Sequence, residues 1–180
     1  TQLAKRGVGL LIEKPLSTSP HGVDQLSEIA EANNLPISIA YVMRQHPALQ
    51  AMKQALDAER FGRVVQIVYA GGQHFPFYRP AYRETYYTRH DTGGGTIQDA
   101  LTHIVNAAEW LVGPVTKLVA DAEHCVLEGV DVEDSVHLIT RHRSVLGSFS
   151  LNQHQPANES TLTVLCERGA VRFEGHHVRW

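Results

Sequence analysis

The chain has 180 residues, of which 43% are hydrophobic and 19% are charged, a composition that excludes intrinsic disorder and indicates a packed globular fold. Sixteen Lys and Arg against nineteen Asp and Glu give a net charge of −3 without basic or acidic blocks, which argues against nucleic-acid and anionic-membrane partners. No apolar run approaches the ~20 residues of a membrane span, and the start carries no signal-peptide pattern. We therefore expect a cytoplasmic protein whose partner is a small molecule or a second copy of itself.

The first part of the chain has the pattern of a parallel β-α-β unit. A continuous apolar strand runs from Val8 to Ile12, as expected for a strand covered on both faces. A helix is predicted to begin at Ser19 and to end before Pro36, and a second apolar strand covers residues 37–42. Short links between the three elements favour a right-handed unit within a parallel sheet.

From residue 47 onward the pattern changes, and a second domain is predicted. A helix with one apolar face carries Leu49, Met52, Ala55 and Leu56. A strand follows in which Val65, Ile67 and Tyr69 are predicted to point inward. Further along, alternating segments predict an antiparallel meander: residues 117–126, 134–141, 145–152, 161–167 and 171–174.

Residues 74–95 show no periodicity but hold six of the eleven Phe and Tyr of the chain: Phe75, Phe77, Tyr78, Tyr82, Tyr86 and Tyr87. So long a loop inside a domain is usually functional or disordered, and the aromatic content favours function. A loop pinned over the core by its aromatic side chains is an equally good interpretation.

Residues 96–111 form the clearest predicted helix. Its apolar stripe, predicted to lie on the sheet, consists of Ile97, Leu101, Ile104, Ala108 and Leu111. The opposite side carries Asp99, His103, Asn106 and Trp110. A row of short polar side chains followed by a Trp is typical of the wall of a cleft.

Asp99 and His103 are four residues apart, so their side chains can meet on the helix surface. A carboxylate beside an imidazole fixes its tautomer and stabilises its charged form, as a general base near neutral pH requires. A surface ion pair, or a carboxylate at the start of the helix dipole, remains an alternative. No metal is predicted, because neither the eleven histidines nor the two cysteines, Cys125 and Cys166, show zinc-ligand spacing.

Lys14 directly follows the first apolar strand. Open α/β sheets bind their ligands at the carboxyl ends of such strands. Pro15 fixes the turn, and a Lys-Pro bond in this place can be cis. A surface lysine is the alternative interpretation.

Several motifs in this order resemble the Gfo/Idh/MocA oxidoreductases, over a region from Val8 to Glu174: Glu13-Lys14-Pro15, the run 41–49, Gly93-Gly94-Gly95 followed by Asp99 and His103, and Gly113-Pro114. The resemblance implies an α/β (α+β) fold in two parts. Residues 1–46 are then the end of a dinucleotide-binding Rossmann domain. Residues 47–180 are the substrate and oligomerisation domain, a large, open, mostly antiparallel sheet with helices on one face.

The resemblance also implies roles for individual residues. Lys14 contacts substrate and cofactor, Glu13 and Pro15 lie at the cofactor, and Asp99 with His103 forms the acid-base dyad. Many members have an Asn-Arg-Arg-Phe-like run where this chain has residues 43–46, Met-Arg-Gln-His, so the hydroxyls that are recognised are expected to differ. The predicted substrate-binding residues are Arg44, Asn106, Tyr86 and Tyr87, which offer hydrogen bonds beside apolar ring faces.

The predicted function is that of the substrate-binding and catalytic portion of an NAD(P)-dependent dehydrogenase or reductase that acts on a CH–OH group of a sugar, polyol or related cyclic alcohol. No Gly-x-Gly-x-x-Gly occurs in the chain, so the chain is expected to start inside the nucleotide domain and to be inactive alone. The alternatives are a non-catalytic binding or assembly module and a glycosidase that uses NAD transiently.

A homodimer or homotetramer through the open sheet is also expected, because few helices are available to cover its two faces. The apolar surface for this contact is predicted to come from Val136, Leu138, Val145, Phe149 and Leu151.

Overall fold

The computed structural model describes residues 1–180, and the chain separates into two units, Thr1–Tyr41 and Val42–Trp180. The division lies close to the boundary at residue 46 that the sequence predicts. Each unit has its own sheet.

The first unit contains the predicted parallel β-α-β elements: strand β1 at Leu10–Ile12, helix α1 at Val23–Ala32 and strand β2 at Ile37–Ile39. β1 and β2 are parallel, with Leu10 opposite Ile37. The Lys14-Pro15 peptide bond directly after β1 is cis.

Two details of this unit differ from the sequence prediction. Helix α1 begins after Gly22 and not at Ser19, because the Ser19 hydroxyl accepts a hydrogen bond from the His21 amide in a local turn. Leu11 is 77% exposed, so β1 is not covered on both faces in this unit, and that expectation is wrong for the 180-residue chain.

The second unit is built on one seven-stranded sheet, whose strands are β3 (Val64–Gly72), β4 (Lys117–Glu123), β5 (Ser135–His142), β6 (Val145–Asn152), β7 (Glu159–Cys166), β8 (Gly169–Glu174) and β9 (His177–Arg179). Their order is β4-β5-β6-β3-β7-β8-β9. All neighbours are antiparallel except β3 and β6. The predicted meander is therefore divided in two by β3, and β9 is a strand that the sequence pattern did not predict.

Helices α2 (Pro47–Asp57) and α4 (Thr102–Val112) pack on one face of this sheet, while a short helix α3 (Phe75–Tyr78) follows β3. The four predicted apolar residues of α2 are all buried, which confirms its orientation. The predicted stripe of the later helix is confirmed too: Leu101, Ile104, Ala108 and Leu111 are buried in the core, and Ile97 packs against it.

A β-bulge between Val64 and Gln66 changes which side chains of β3 point inward. Val64 packs against the core, whereas Val65 is 39% exposed. Ile67 and Tyr69 point inward as predicted. The inward position predicted for Val65 is wrong, because a bulge adds one residue to the strand and reverses the alternation on one side of it.

The residues expected to form an exposed apolar surface are instead buried under the helices: Val136, Leu138, Val145, Phe149 and Leu151. They belong to the set of alternate residues that faces α2 and α4. The opposite face is apolar at other positions, since Val119, Ile139 and Leu146 are 68%, 63% and 44% exposed. None of the helices in the chain has the length and apolar character needed to cross a membrane.

The aromatic segment 74–95 folds into α3 and three 3-10 turns. Phe75, Tyr82 and Tyr87 pack with apolar residues of segment 127–132 in a second, smaller core. The ring centroids of Phe75 and Tyr87 are 4.7 Å apart. The segment is therefore pinned by part of its aromatic side chains, while Tyr86 remains 50% exposed.

Candidate active site

Three glycines lead the chain into the helix that carries the predicted dyad. Gly93 and Gly95 have φ angles of 91° and 93°, in the left-handed region that favours glycine. Gly94 has no such angle, but a Cβ atom there would overlap the backbone carbonyl of Tyr87. Each of the three positions thus requires glycine for a geometric reason.

Glu133, from the turn before β5, caps the start of this helix. Its carboxylate Oε1 accepts a hydrogen bond of 2.8 Å from the Ile97 amide, and its backbone oxygen accepts one of 3.0 Å from Thr96. Oε2 lies 2.5 Å from Nε2 of His90. A Cβ on Gly95 would lie 2.6 Å from Oε1, so the glycine also makes room for the capping carboxylate. A negative group at a helix start is favoured by the free amides and by the helix dipole.

The helix expected at 96–111 is not regular: a π-helical turn at Ile97–Leu101 precedes α4. Asp99 lies in this turn, and His103 lies in the first turn of α4 and is half-buried. Single π turns inside helices occur frequently at functional sites. The difference from the prediction arises because the periodicity of apolar residues does not distinguish a wider turn from an α-helical one.

Asp99 is only 5% exposed, and both of its carboxylate oxygens accept hydrogen bonds from the aromatic segment. Tyr86 donates its hydroxyl to Oδ1 at 2.5 Å, and Arg79 donates Nη1 to Oδ2 at 3.3 Å. The guanidinium offsets the cost of burying the carboxylate. Burial and the carboxylate of Asp99 raise the pKa of Tyr86, so the phenol stays neutral and remains a donor.

Two further predicted residues are brought together on the neighbouring elements. Arg44, in the 3-10 turn Val42–Gln45, donates Nε to Oδ1 of Asn106 at 2.7 Å. Gln50 of α2 donates its side-chain amide to the Arg44 carbonyl. Arg44 and Asn106 therefore form one hydrogen-bonded pair at α4, and both are partly buried.

Tyr87 has a different environment from Tyr86. It is 2% exposed inside the smaller core, and burial raises the pKa of its hydroxyl. Glu13, Lys14 and Pro15 belong to the other unit, where they directly follow β1.

Two cavities adjoin Asp99 and its partners. One, of about 220 Å³, is lined by residues of segment 75–87, including Arg79 and Tyr86. The other, of about 150 Å³, is lined by Asp99, Arg79 and residues at the ends of β3 and β6, including Gln153. The sequence analysis missed Arg79 and Gln153; for Arg79 the signal was its place among the aromatic residues of the loop. No three His, Cys, Asp or Glu side chains are grouped so that they could hold a metal ion.

Comparison with known proteins gives one family match. The family model described as the GFO/IDH/MocA C-terminal domain matches residues 49–172. No curated protein matches the chain.

Solved structures match almost the whole chain. The WlbA dehydrogenase from Chromobacterium violaceum, in complex with NADH and UDP-GlcNAcA, has a TM-score of 0.87 and 23% identity, covering 99% of this chain and 53% of that one. The WlbA dehydrogenase from Bordetella pertussis, in complex with the same two molecules, has a TM-score of 0.86 and 23% identity, with coverages of 98% and 55%. A myo-inositol dehydrogenase from Corynebacterium glutamicum has a TM-score of 0.80 and 17% identity, with coverages of 96% and 51%. The chain thus spans about half the length of these structures, and at such identities the likeness concerns the fold.

Proposed function

The chain belongs to the Gfo/Idh/MocA family, and from this premise we propose that it is the substrate-binding and catalytic portion of an NAD(P)-dependent oxidoreductase that acts on a CH–OH group of a sugar, polyol or related cyclic alcohol. The observation that carries the proposal is the Asp99 carboxylate, which is buried, held by Tyr86 and Arg79, and four residues before His103. A surface ion pair would not need two dedicated donors from a distant segment.

His103 is the general base of the proposed reaction. Its imidazole accepts the proton of the substrate hydroxyl as that carbon is oxidised, and it returns the proton in the reverse reaction. The negative charge of Asp99 stabilises the resulting imidazolium and favours one tautomer of the neutral ring. Arg79 and Tyr86 keep the carboxylate in one position, so it does not have to reorganise when the imidazole becomes charged.

The cofactor is expected at the first unit. β1 and β2 are parallel, and Glu13, Lys14 and Pro15 follow β1 at its carboxyl end, the edge at which such sheets bind nucleotides. These three residues would contact NAD or NADP, which when bound supplies the acceptor for the hydride. The role of Lys14 toward cofactor and substrate oxygen rests on the family resemblance.

The substrate class is supported by polar side chains on the helix of the dyad. Tyr86 is hydrogen-bonded to Asp99, and Arg44 is hydrogen-bonded to Asn106, seven residues further along the same helix. Such donors and acceptors suit a hydroxylated ring. The names of the similar structures include a nucleotide sugar in two complexes and myo-inositol in a third, which agrees with this class.

A second copy of the chain is the proposed partner of the outer face of the sheet. Val119 and Ile139 lie opposite each other on β4 and β5, and Leu146 lies on β6. All three are exposed on the face away from α2 and α4. Exposed apolar side chains on three neighbouring strands support an interface at this face.

The experiment uses the full-length protein with its cofactor domain. We expect His103→Ala to lower the turnover number for NAD(P)-dependent alcohol oxidation by about 10²–10⁴-fold, the usual effect of losing a general base. The exposed His21→Ala is the control and should leave turnover unchanged. Turnover near that of the wild type in His103→Ala would contradict the proposal. Release of a free sugar from a glycoside without net reduction of NAD would support the glycosidase, and no turnover of any alcohol would support the binding module.

A further inference from the structure

An apolar pocket lies within the aromatic segment 74–95. Its volume is about 220 Å³, and most of its lining is apolar. Four aromatic side chains contribute to this lining: Phe75, Tyr82, Tyr86 and Tyr87. An apolar cavity of about 150 Å³ is large enough to bind benzene. The pocket therefore has room for one six-membered ring that carries a substituent.

Contacts within the segment hold the walls of the pocket in place. The ring centroids of Phe75 and Tyr87 are 4.7 Å apart, and those of Phe75 and Tyr82 are 6.2 Å apart. Tyr82 donates its hydroxyl to the Glu128 carbonyl at 3.0 Å. The backbone carbonyl of Tyr82 accepts a hydrogen bond of 3.2 Å from the Thr85 hydroxyl. Because these rings are fixed before a ligand binds, ordering them adds little to the entropic cost of binding.

The charge in the pocket favours an aromatic ligand. Arg79 is the one charged residue in the lining. Its guanidinium carbon lies 5.0 Å from the ring centroid of Phe75, within the distance of a cation–π contact. The face of a second aromatic ring is attracted to the same cation, while its edge is attracted to the faces of the wall rings. An uncharged aromatic ring thus complements both the cation and the walls, whereas a saturated ring complements the walls alone.

Two residues of the lining also hold the candidate catalytic carboxylate. Arg79 donates Nη1 to Oδ2 of Asp99, and Tyr86 donates its hydroxyl to Oδ1. Both side chains are about half exposed, so both can contact a ligand while they hold Asp99. A ring bound in the pocket therefore lies beside the candidate active site.

We propose that this pocket is a binding site for an uncharged, planar aromatic ring, which packs against the aromatic walls and the Arg79 guanidinium. The inference goes beyond the proposed function, because it assigns a second site beside the one for the reacting CH–OH group. The same chemistry suits an aromatic substituent of the substrate and a separate aromatic molecule, and binding measurements distinguish these two sources.

The first test compares two primary alcohols that differ in their ring. Benzyl alcohol and cyclohexylmethanol are titrated into the full-length protein and followed by saturation-transfer NMR, which requires no turnover. Cyclohexylmethanol is the more hydrophobic of the two, so a pocket that is merely apolar would favour it. We expect benzyl alcohol to bind at least about threefold more tightly, because edge-to-face and cation–π contacts require an aromatic ring.

Equal or tighter binding of cyclohexylmethanol would overturn the aromatic assignment. No binding of either alcohol would overturn the inference as a whole and would leave a side chain of a second copy of the chain as the occupant of the pocket.

The second test locates the bound ring. Ala81 is exposed and lines the pocket, so Ala81→Leu fills part of the volume and should weaken binding of benzyl alcohol about tenfold, which is ~1.4 kcal/mol. Ala58→Leu, at an exposed alanine that ends α2, is the matched control and should bind as the wild type does. Unchanged binding in a folded Ala81→Leu would place the ring elsewhere and refute the inference; if that variant does not fold, the comparison of the two alcohols decides.

A third comparison identifies the molecule that carries the ring. Phenyl β-D-glucopyranoside and phenyl β-D-galactopyranoside are titrated beside the methyl glycosides of the same sugars. A phenyl glycoside that binds at least about tenfold more tightly than both its methyl counterpart and benzyl alcohol would assign the ring to the substrate, since two linked groups then bind together. Phenyl glycosides that bind no more tightly than benzyl alcohol would assign the ring to a separate molecule.

The aromatic site and the proposed function fail in different ways. A protein that binds benzyl alcohol selectively but oxidises no sugar or polyol would retain the aromatic site and lose the proposed function. A protein that oxidises a sugar or polyol but does not prefer benzyl alcohol to cyclohexylmethanol would retain the function and lose the aromatic site.

Discussion

Asp134 provides a sharp test of how the structure around the candidate site is held. It has no exposed surface, and its carboxylate accepts three backbone hydrogen bonds, from Cys125 at 3.0 Å and from Val126 and Leu127 at 2.7 Å each. A fourth comes from the Ser135 hydroxyl at 2.9 Å. These bonds fix the segment that leads to the smaller core, next to the capping Glu133.

Asp134→Asn replaces one accepting oxygen by an amide donor that faces backbone donors. Hydrogen bonds to a charged group contribute about 1.5–3 kcal/mol each, and a buried donor left unpaired costs about 1–3 kcal/mol. We expect the free energy of unfolding to fall by about 2–4 kcal/mol. For a chain of this size the melting temperature should fall by roughly 5–15 °C.

The effect should also depend on pH. Burial raises the pKa of Asp134, but the backbone hydrogen bonds outweigh it and hold the pKa below its ordinary value of 3.8. Because the folded pKa is depressed, the stabilisation is complete above the unfolded value and is lost as the pH falls through the folded one. The wild type should thus lose stability below about pH 4 more steeply than Asp134→Asn.

The assay is urea unfolding between neutral and acid pH, with the exposed Asp131→Asn as control, which should change stability by less than about 0.5 kcal/mol. Equal stability of Asp134→Asn and the wild type at neutral pH, or parallel curves down to acid pH, would refute the reasoning.

Two further variants test the fold and the interface. Gly94→Ala should destabilise the chain by more than about 2 kcal/mol in urea unfolding, because its Cβ would overlap the Tyr87 carbonyl. The control Gly175→Ala, at a positive φ but in open space, should cost about 1 kcal/mol. Similar costs for both variants would contradict the close contact at Gly94. Ile139→Lys places a charge on the outer face of the sheet and should convert an oligomer to a monomer in light scattering. The control Val126→Lys changes an exposed loop residue and should leave the oligomer intact. A wild type that is already monomeric would contradict the interface.

Elements that depend on local pattern could be predicted from the sequence. The apolar face of α2, the limits of β6 and the stripe on α4 follow from side-chain periodicity and from turn residues, which act within a few positions of the chain. The glycines 93–95 also predicted the start of the helix that follows them. The family resemblance rested on the same local motifs.

Features that depend on distant partners could not be predicted. β3 lies between β6 and β7, and nothing in its own residues indicates that its neighbours follow about 80 to 100 positions later. The bulge at Val64 shifted the alternation by one residue, which moves Val65 to the opposite face.

The candidate site also contains residues that local spacing predicts and residues that depend on distant partners. Asp99 and His103 could be predicted from their spacing, whereas Arg79 reaches Asp99 from 20 residues away and Glu133 reaches Ile97 from 36 away. Gln153 has an ordinary sequence context, and only its burial beside the cavity distinguishes it.

The central claim, that Asp99 and His103 act as one catalytic unit, is tested most directly by a double-mutant cycle in the full-length enzyme. Turnover numbers are measured for Asp99→Asn, His103→Ala and the combined variant, each with saturating cofactor. If Asp99 acts through His103, each single change impairs turnover, and the combined loss is much smaller than the product of the two single losses. Turnover near that of the wild type in both single variants, or losses that simply multiply, would contradict the claim.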